Sequence, residues 1–231
     1  MKIEIMNLSK KYGSLYALQN VNLTLGQGRI VGLLGPNGSG KTTLIKLLNG
    51  LIQPTQGQIL MDGQKPGVYS KSKISYLPDK TYLNSQMTVE QLVDLFGDFY
   101  ADFNFSKADD LLKRLNIPVQ QKLKTLSKGT QEKVQLALVM SREAEAYILD
   151  EPIGGVDPVG RDYILQTIIS QYNRNATVII STHLISDVEN VLDDVIMIKN
   201  GGIFLYDSVE NIREREGKSI DEMFKEVMRW Y

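Results

Sequence analysis

Apolar and polar residues alternate over residues 3–8, and the alternation returns at Val21, Leu23 and Leu25 before a break at Gly26-Gln-Gly28. That period predicts two half-buried strands, an antiparallel layer ahead of the core. Between them, residues 10–18 read as a turn carrying Tyr12 and Tyr16. Residues 30–34 form instead an unbroken apolar run, which passes through a glycine-rich turn into a helix starting near Lys41. Leu44, Ile45, Leu47 and Leu48 keep one face of that helix apolar until Asn49-Gly50 stops it. A turn at 54–57, a strand at 58–61, the turn Asp62-Gly63 and a short strand at 74–77 ending in Pro78-Asp79 come next.

From Thr88 the period becomes helical. Thr88-Val-Glu-Gln91 and Ser106-Lys-Ala-Asp109 have the spacing of capping boxes, each opening a helix. Leu92, Leu95, Phe96 and Phe99 are expected on one face of the first, and Leu111, Leu112 and Leu115 on one face of the second, with Pro118 as its stop. Leu126-Ser-Lys-Gly-Thr-Gln131 opens a further helix, continued by Val134, Leu136, Ala137, Leu138 and Met140. Near-continuous apolar strands follow at 146–149 and 176–181, of the kind buried in a parallel sheet, with Asp157 as the cap and Pro158 as the first residue of a helix between them. A hairpin turns at Asn200-Gly-Gly202, Ile164 and Ile168 face inward, and Ile220, Met223, Phe224 and Val227 make a closing amphipathic helix. Trp230 and Tyr231 read either as packed back or as a contact surface.

The chemistry concentrates where strands end. Gly35-Pro36-Asn37-Gly38-Ser39-Gly40-Lys41-Thr42 is the G-x-x-x-x-G-K-[ST] pattern in its strand-to-helix setting, followed by Thr43. Its glycines let the backbone wrap phosphates, Lys41 reaches the terminal phosphates, and Thr42 offers a hydroxyl to Mg²⁺ at the positive end of a helix. Asp150 leaves a strand tip where it can hold Mg²⁺ directly or through water, and Glu151 can orient and polarise the water that attacks a γ-phosphate. His183, the single histidine, ends another strand at the rim where α/β sheets hold ligands, suited to a γ-phosphate contact. Asp79 brings a carboxylate to the same rim. Tyr12 is placed to stack on an adenine or to pack on its own turn. Ser127, Lys128, Gly129 and Thr130 begin a helix as an ordinary cap or as a second anion site. The fold class is α/β: a P-loop nucleoside triphosphatase core with an N-terminal antiparallel β layer and an inserted α-helical subdomain. The expected organisation is a single domain over 1–231, the insert near 80–145 and a short helical tail at 208–231.

Composition narrows the classes. The 231 residues are 42% hydrophobic, which suits a packed α/β unit, and 26 Lys plus Arg against 27 Asp plus Glu give no basic excess for nucleic acid. With 0 cysteines and one histidine, disulfides, thiolate metal sites and multi-histidine sites are excluded. No window reaches about 18 uninterrupted apolar residues, so a cytoplasmic chain is expected.

Taken together these residues resemble the nucleotide-binding subunit of an ATP-binding cassette transporter, over nearly the whole chain. The resemblance implies ATP and Mg²⁺ as ligands, Tyr12 on the adenine, residues 35–42 on the phosphates, Asp150 at the metal, Glu151 and His183 as catalytic base and switch, and Asp157 between two active sites. It implies a head-to-tail dimer in which Ser127 and Gly129 act on the other subunit's nucleotide, a homodimer being favoured over a heterodimer. It also implies polytopic permease subunits docked on the helical insert, and hence a peripheral place on the inner face of a membrane. Two positions depart from the family. Lys128 stands where glycine is usual and Thr130 where glutamine is usual, which implies a weakened or retuned phosphate contact; Asp79 replaces the usual glutamine, reaching Mg²⁺ only through water. Asp79 and the compact length tilt the expectation toward export. The alternatives are a soluble single-cassette ATPase serving a cytoplasmic assembly and a low-turnover regulatory module.

Overall fold

In the computed structural model, residues 1–228 are described; Trp230 and Tyr231 lie outside them. Strands β1 (Ile3–Tyr12) and β2 (Leu15–Leu25) lead to β3 (Ile30–Leu34), α1 (Lys41–Leu48), β4 (Gln56–Met61), α2 (Val68–Lys73) and β5 (Ile74–Leu77). The helices α3 (Val89–Phe99), α4 (Phe105–Arg114) and α5 (Lys128–Met140) follow, then β6 (Ala146–Asp150), α6 (Pro158–Gln171), β7 (Thr177–Thr182) and α7 (Ile185–Val188). The chain closes with β8 (Asp194–Lys199), β9 (Gly202–Ser208), α8 (Val209–Glu216) and α9 (Ile220–Met228).

Two sheets result. One is antiparallel in the order β2-β1-β4; the other runs β5-β6-β7-β3-β8-β9, parallel except for the β8-β9 hairpin. The unbroken apolar strands are explained by burial on both faces. Val31 and Leu33 of β3 point into a core shared with α1 and the antiparallel sheet, whereas Ile30 and Leu34 point into a core shared with the helical insert. Parallel order puts the carboxyl ends of β5, β6, β7 and β3 along one rim; Asp150 ends β6, and Asp79, His183 and the 35–40 loop follow the other three ends.

Several expectations need correction. Residues 10–18 are not a turn: both strands run on until Gly13-Ser14, with Lys10 paired to Leu18 and Lys11 to Tyr16. Lysine ammonium groups over the tyrosine rings, with Lys11 Nζ 4.3 Å from the Tyr16 centroid, accompany the pairing past the point where apolar alternation fades. The Thr88–Gln91 capping box is present, but the next helix is capped by Asn104, which accepts the Lys107 N–H at 3.0 Å, so Ser106 lies inside the helix. That helix ends at Arg114, before Pro118, because Asn116 takes a left-handed conformation. Phe99 is 74% exposed, since α3 ends there and the chain turns away from the core face carried by Leu92 and Phe96. The short helix α2 had no period long enough to read.

The insert is fastened by Arg142, which is fully buried. Its Nε and one terminal nitrogen donate to the two Asp102 carboxylate oxygens at 2.9 Å each, other N–H groups donate to the Ser72 and Ile74 carbonyls, and the guanidinium stacks 3.8 Å from the Tyr100 centroid. A buried cation is tolerated because its donors are matched in this way.

Candidate nucleotide site

Gly35 and Gly40 make the loop after β3 possible. A Cβ on Gly40 would come within 2.6 Å of the Ala17 carbonyl oxygen at a φ of 114°, and one on Gly35 within 2.6 Å of the Ile198 carbonyl oxygen. The loop is braced by Ser39 N–H donating to Pro36 O at 3.1 Å and Gly201 N–H donating to Ser39 O at 3.1 Å. No side chain caps α1, whose N-cap is Gly40, so its first amides are left for an acceptor from outside. Lys41 is 6% exposed and donates to Gly35 O at 2.7 Å and Pro36 O at 3.3 Å. Burial lowers its pKa, and the charges of Glu151 and Asp150 oppose that shift. A cleft opens here, lined by Ala17, Pro36, Asn37, Gly38, Gly40, Lys41, Thr42 and Thr43.

Asp150 is the last residue of β6 and 2% exposed. Burial raises its pKa, a hydrogen bond from Ser181 opposes that, and the charges of Asp79 and Glu151 add to it. Ser181 Oγ donates to Asp150 Oδ1 at 2.5 Å. Glu151 has φ 51°, a left-handed conformation that costs a non-glycine residue about 1–2 kcal/mol. It is held by its own N–H, which donates to Ser181 O at 3.0 Å and Ser181 Oγ at 3.2 Å, and by Gly154 N–H donating to Glu151 O at 2.9 Å. The turn sends the Glu151 side chain to His183, whose Nδ1 lies 3.0 Å from Oε2. Asp79 is exposed beside them, lining a small depression with Glu132, Gln135, Asp150 and Glu151.

Among the described residues no three His, Asp or Glu side chains are grouped closely enough to hold a metal by themselves. Mg²⁺ suits such a place only with one or two carboxylates and oxygens from a phosphate, and Asp150, Asp79 and the Thr42 hydroxyl provide that partial set. The cradle without Cβ atoms, the uncapped helix start and the buried lysine fit a nucleotide phosphate chain.

The structure does not bring every sequence candidate to this rim. Ser127 caps α5, its Oγ accepting the Thr130 N–H at 3.2 Å and lying 2.8 Å from Thr130 Oγ1. Lys128 is exposed, with Nζ 3.7 Å from Glu132, and a Cβ on Gly129 would meet open space. None of the four lines the phosphate-loop cleft. Tyr12 ends β1 half exposed, with Lys10 Nζ 5.3 Å from its ring, and is also outside that lining. Asp157 is the cap of α6, accepting the Gly160 N–H at 3.0 Å. Ala17 and Ser181 escaped the sequence reading: Ser181 was legible only as strand, because the register pairing it with Asp150 is not a local property.

Comparison with known proteins adds the following. The ABC transporter family model matches residues 18–154. The chain is 32% identical over 215 residues to the ABC transporter ATP-binding protein YtrB of Bacillus subtilis, covering 92% of this chain and 74% of that protein. It is 30% identical over 233 residues to the SkfA peptide export ATP-binding protein SkfE of the same organism, covering 98% and 95%. The dimeric structure of MJ0796, a bacterial ABC transporter cassette, superposes with a TM-score of 0.79 at 25% identity, over 89% of this chain and 98% of that one.

Proposed function

This chain belongs to the ABC transporter family as an ATP-binding domain, and from that premise we propose that it hydrolyses ATP to drive export across a membrane, as one half of a cassette dimer. The observation that supports this most is the convergence of Lys41, Asp150, Glu151 and His183 on one rim, with Glu151 held by His183 at 3.0 Å. When bound, MgATP supplies the γ-phosphate and neutralises the charge that develops on it. The chain's own part is positional and electrostatic. Lys41 leaves the Gly35 and Pro36 carbonyls to meet phosphate oxygens, and the α1 amide N–H groups donate to the same oxygens. Glu151 takes a proton from the attacking water at a carboxylate oxygen, while His183 fixes that carboxylate through Nδ1 and keeps Nε2 for the phosphate. Asp150 and Thr42 would hold Mg²⁺, with Asp79 reaching it through water. Tyr12 stacks on the adenine.

Ser127, Lys128, Gly129 and Thr130 complete the site of a second copy, since they lie off this chain's own cleft and the related MJ0796 cassette is dimeric. Export is favoured by Asp79 and by the likeness to SkfE, whose name records peptide export. No helix among the described residues is long and apolar enough to cross a membrane. In this reading a polytopic permease partner provides the membrane-spanning part. That partner docks on the helical insert, where Tyr76, Tyr82, Phe96 and Tyr100 line a cleft rimmed by Lys71 and Lys80.

Mild-detergent purification from the source cell's membranes, with and without ATP, tests the proposal. Co-purification with a polytopic membrane protein is expected. Recovery from the soluble fraction with hydrophilic partners alone would overturn the transport reading while leaving ATP hydrolysis standing.

A further inference from the structure

Ser181 belongs to β7, where it lies between Asp150 of β6 and Leu33 of β3 just ahead of the phosphate loop, and its one hydroxyl touches both acidic positions of the site. It donates to Asp150 Oδ1 at 2.5 Å and accepts the Glu151 N–H at 3.2 Å, while its carbonyl accepts the same N–H at 3.0 Å. The side chain is fully buried, so no water substitutes for it. A hydroxyl has one hydrogen and two lone pairs, and both kinds of bond are in use here. The donated hydrogen fixes one Asp150 oxygen, leaving the other free. The accepted N–H steadies Glu151 in the left-handed conformation that turns its side chain toward His183. The two acidic residues are adjacent in sequence but need different directions, and the register that sets Asp150 beside Ser181 puts a single hydroxyl between the Asp150 carboxylate and the Glu151 N–H.

We propose that Ser181 is a positioning residue for the reaction, setting the Asp150 carboxylate for the metal and the Glu151 backbone for the attacking water. This rests on the ATPase reading above. Serine suits the task because a short β-strand side chain cannot reach past its neighbours, so the bond to Asp150 has one geometry. Alanine removes the hydroxyl with almost no change in volume, and threonine keeps it.

The test uses the full chain with Ser181→Ala and Ser181→Thr. Mn²⁺ binding in the presence of a non-hydrolysable ATP analogue is read by electron paramagnetic resonance, beside kcat and KM for MgATP. A hydrogen bond to an ionised group contributes enough for Ser181→Ala to raise the Mn²⁺ concentration for half-occupancy by about tenfold or more. The same variant is expected to lower kcat with KM for the nucleotide nearly unchanged, because the phosphate loop is untouched, and Ser181→Thr to restore both. A purely structural role would lower melting temperature without moving the Mn²⁺ midpoint, and that result overturns the inference. Should Ser181→Ala fold poorly, Ser181→Cys replaces the hydroxyl by a somewhat larger, weakly donating thiol and is expected to shift the Mn²⁺ midpoint in the same direction by less. Mn²⁺ occupancy in Ser181→Ala equal to that of the wild type overturns the positioning role alone. Absence of Mn²⁺-nucleotide binding by the wild type overturns the ATPase reading and this inference with it.

Discussion

Two helices in this molecule begin at a glycine-bearing turn with a hydroxyl and a lysine, and they are built in opposite ways. The start of α1 is a closed cradle: Gly40 has no side chain to cap the helix, Lys41 is buried, and the loop is braced by Gly201. The start of α5 is an open end: Ser127 caps its own helix, Lys128 is exposed, and Gly129 borders open space. A site whose amides are left uncapped and whose cation is desolvated is ready for an anion from solution. One whose first turn is already capped and solvated offers a surface for something brought to it. The same sequence ingredients therefore make an uncapped anion cradle at α1 and a self-capped, exposed helix start at α5, the end that the proposed function gives to a second copy's site.

The sharpest way to break this contrast is at Gly40. Gly40→Ala is expected to abolish nucleotide binding and to destabilise the fold, since its Cβ collides with a backbone carbonyl at a φ that alanine avoids; calorimetric titration with ATP and a melting curve check both. Gly129→Ala, with open space at its Cβ, is expected to leave the monomer's nucleotide binding unchanged. Glu151→Gln comes next: kcat should fall by about 10²–10⁴ with ATP binding retained. It should also trap an ATP-dependent dimer seen by size-exclusion chromatography. Ser127→Ala should cost about 1 kcal/mol of stability through the lost cap, and lower turnover only at protein concentrations where dimers form.

The smallest effect is the pH dependence set by Lys41. Its folded pKa lies below the ordinary 10.5, so between that value and 10.5 the unfolded chain binds more protons and stability rises with pH. Tyr76 and Tyr147, whose burial pushes their pKa values up to about 12, act in the opposite sense above pH 10. Melting curves of the nucleotide-free protein, compared with those of Lys41→Met below pH 10, isolate the lysine: the wild type should gain on the variant as pH rises.

Much of this was legible because it is local. The phosphate loop, the strand ends at Asp150 and Thr182, the Thr88 capping box and the hairpin at Asn200 each declare themselves within a few residues, and the structure has them as elements. What escaped depends on distant pairing. Ser181 matters because β6 and β7 pair in one register, and Ala17 because the β1-β2 hairpin folds over Gly40. Asn104 displaced Ser106 as a cap because the chain just before α4 bridges Phe103 to Arg142, starting the helix early. The roles of Ser127 and its neighbours are the least legible, because a capped helix start looks the same whether or not another chain uses it.

The direct measurement of the central claim is complementation between two inactive chains. Lys41→Ala disables the phosphate loop of one copy, and Ser127→Arg disables the start of α5 in the other. In a mixed dimer with head-to-tail sites, both defects fall in one site and the second is intact. The account predicts that each variant alone is inactive and that the co-expressed pair regains roughly a quarter of wild-type activity when chains pair at random. A mixture no more active than its separate parents would contradict it, and would mean that the start of α5 does not serve another chain's nucleotide.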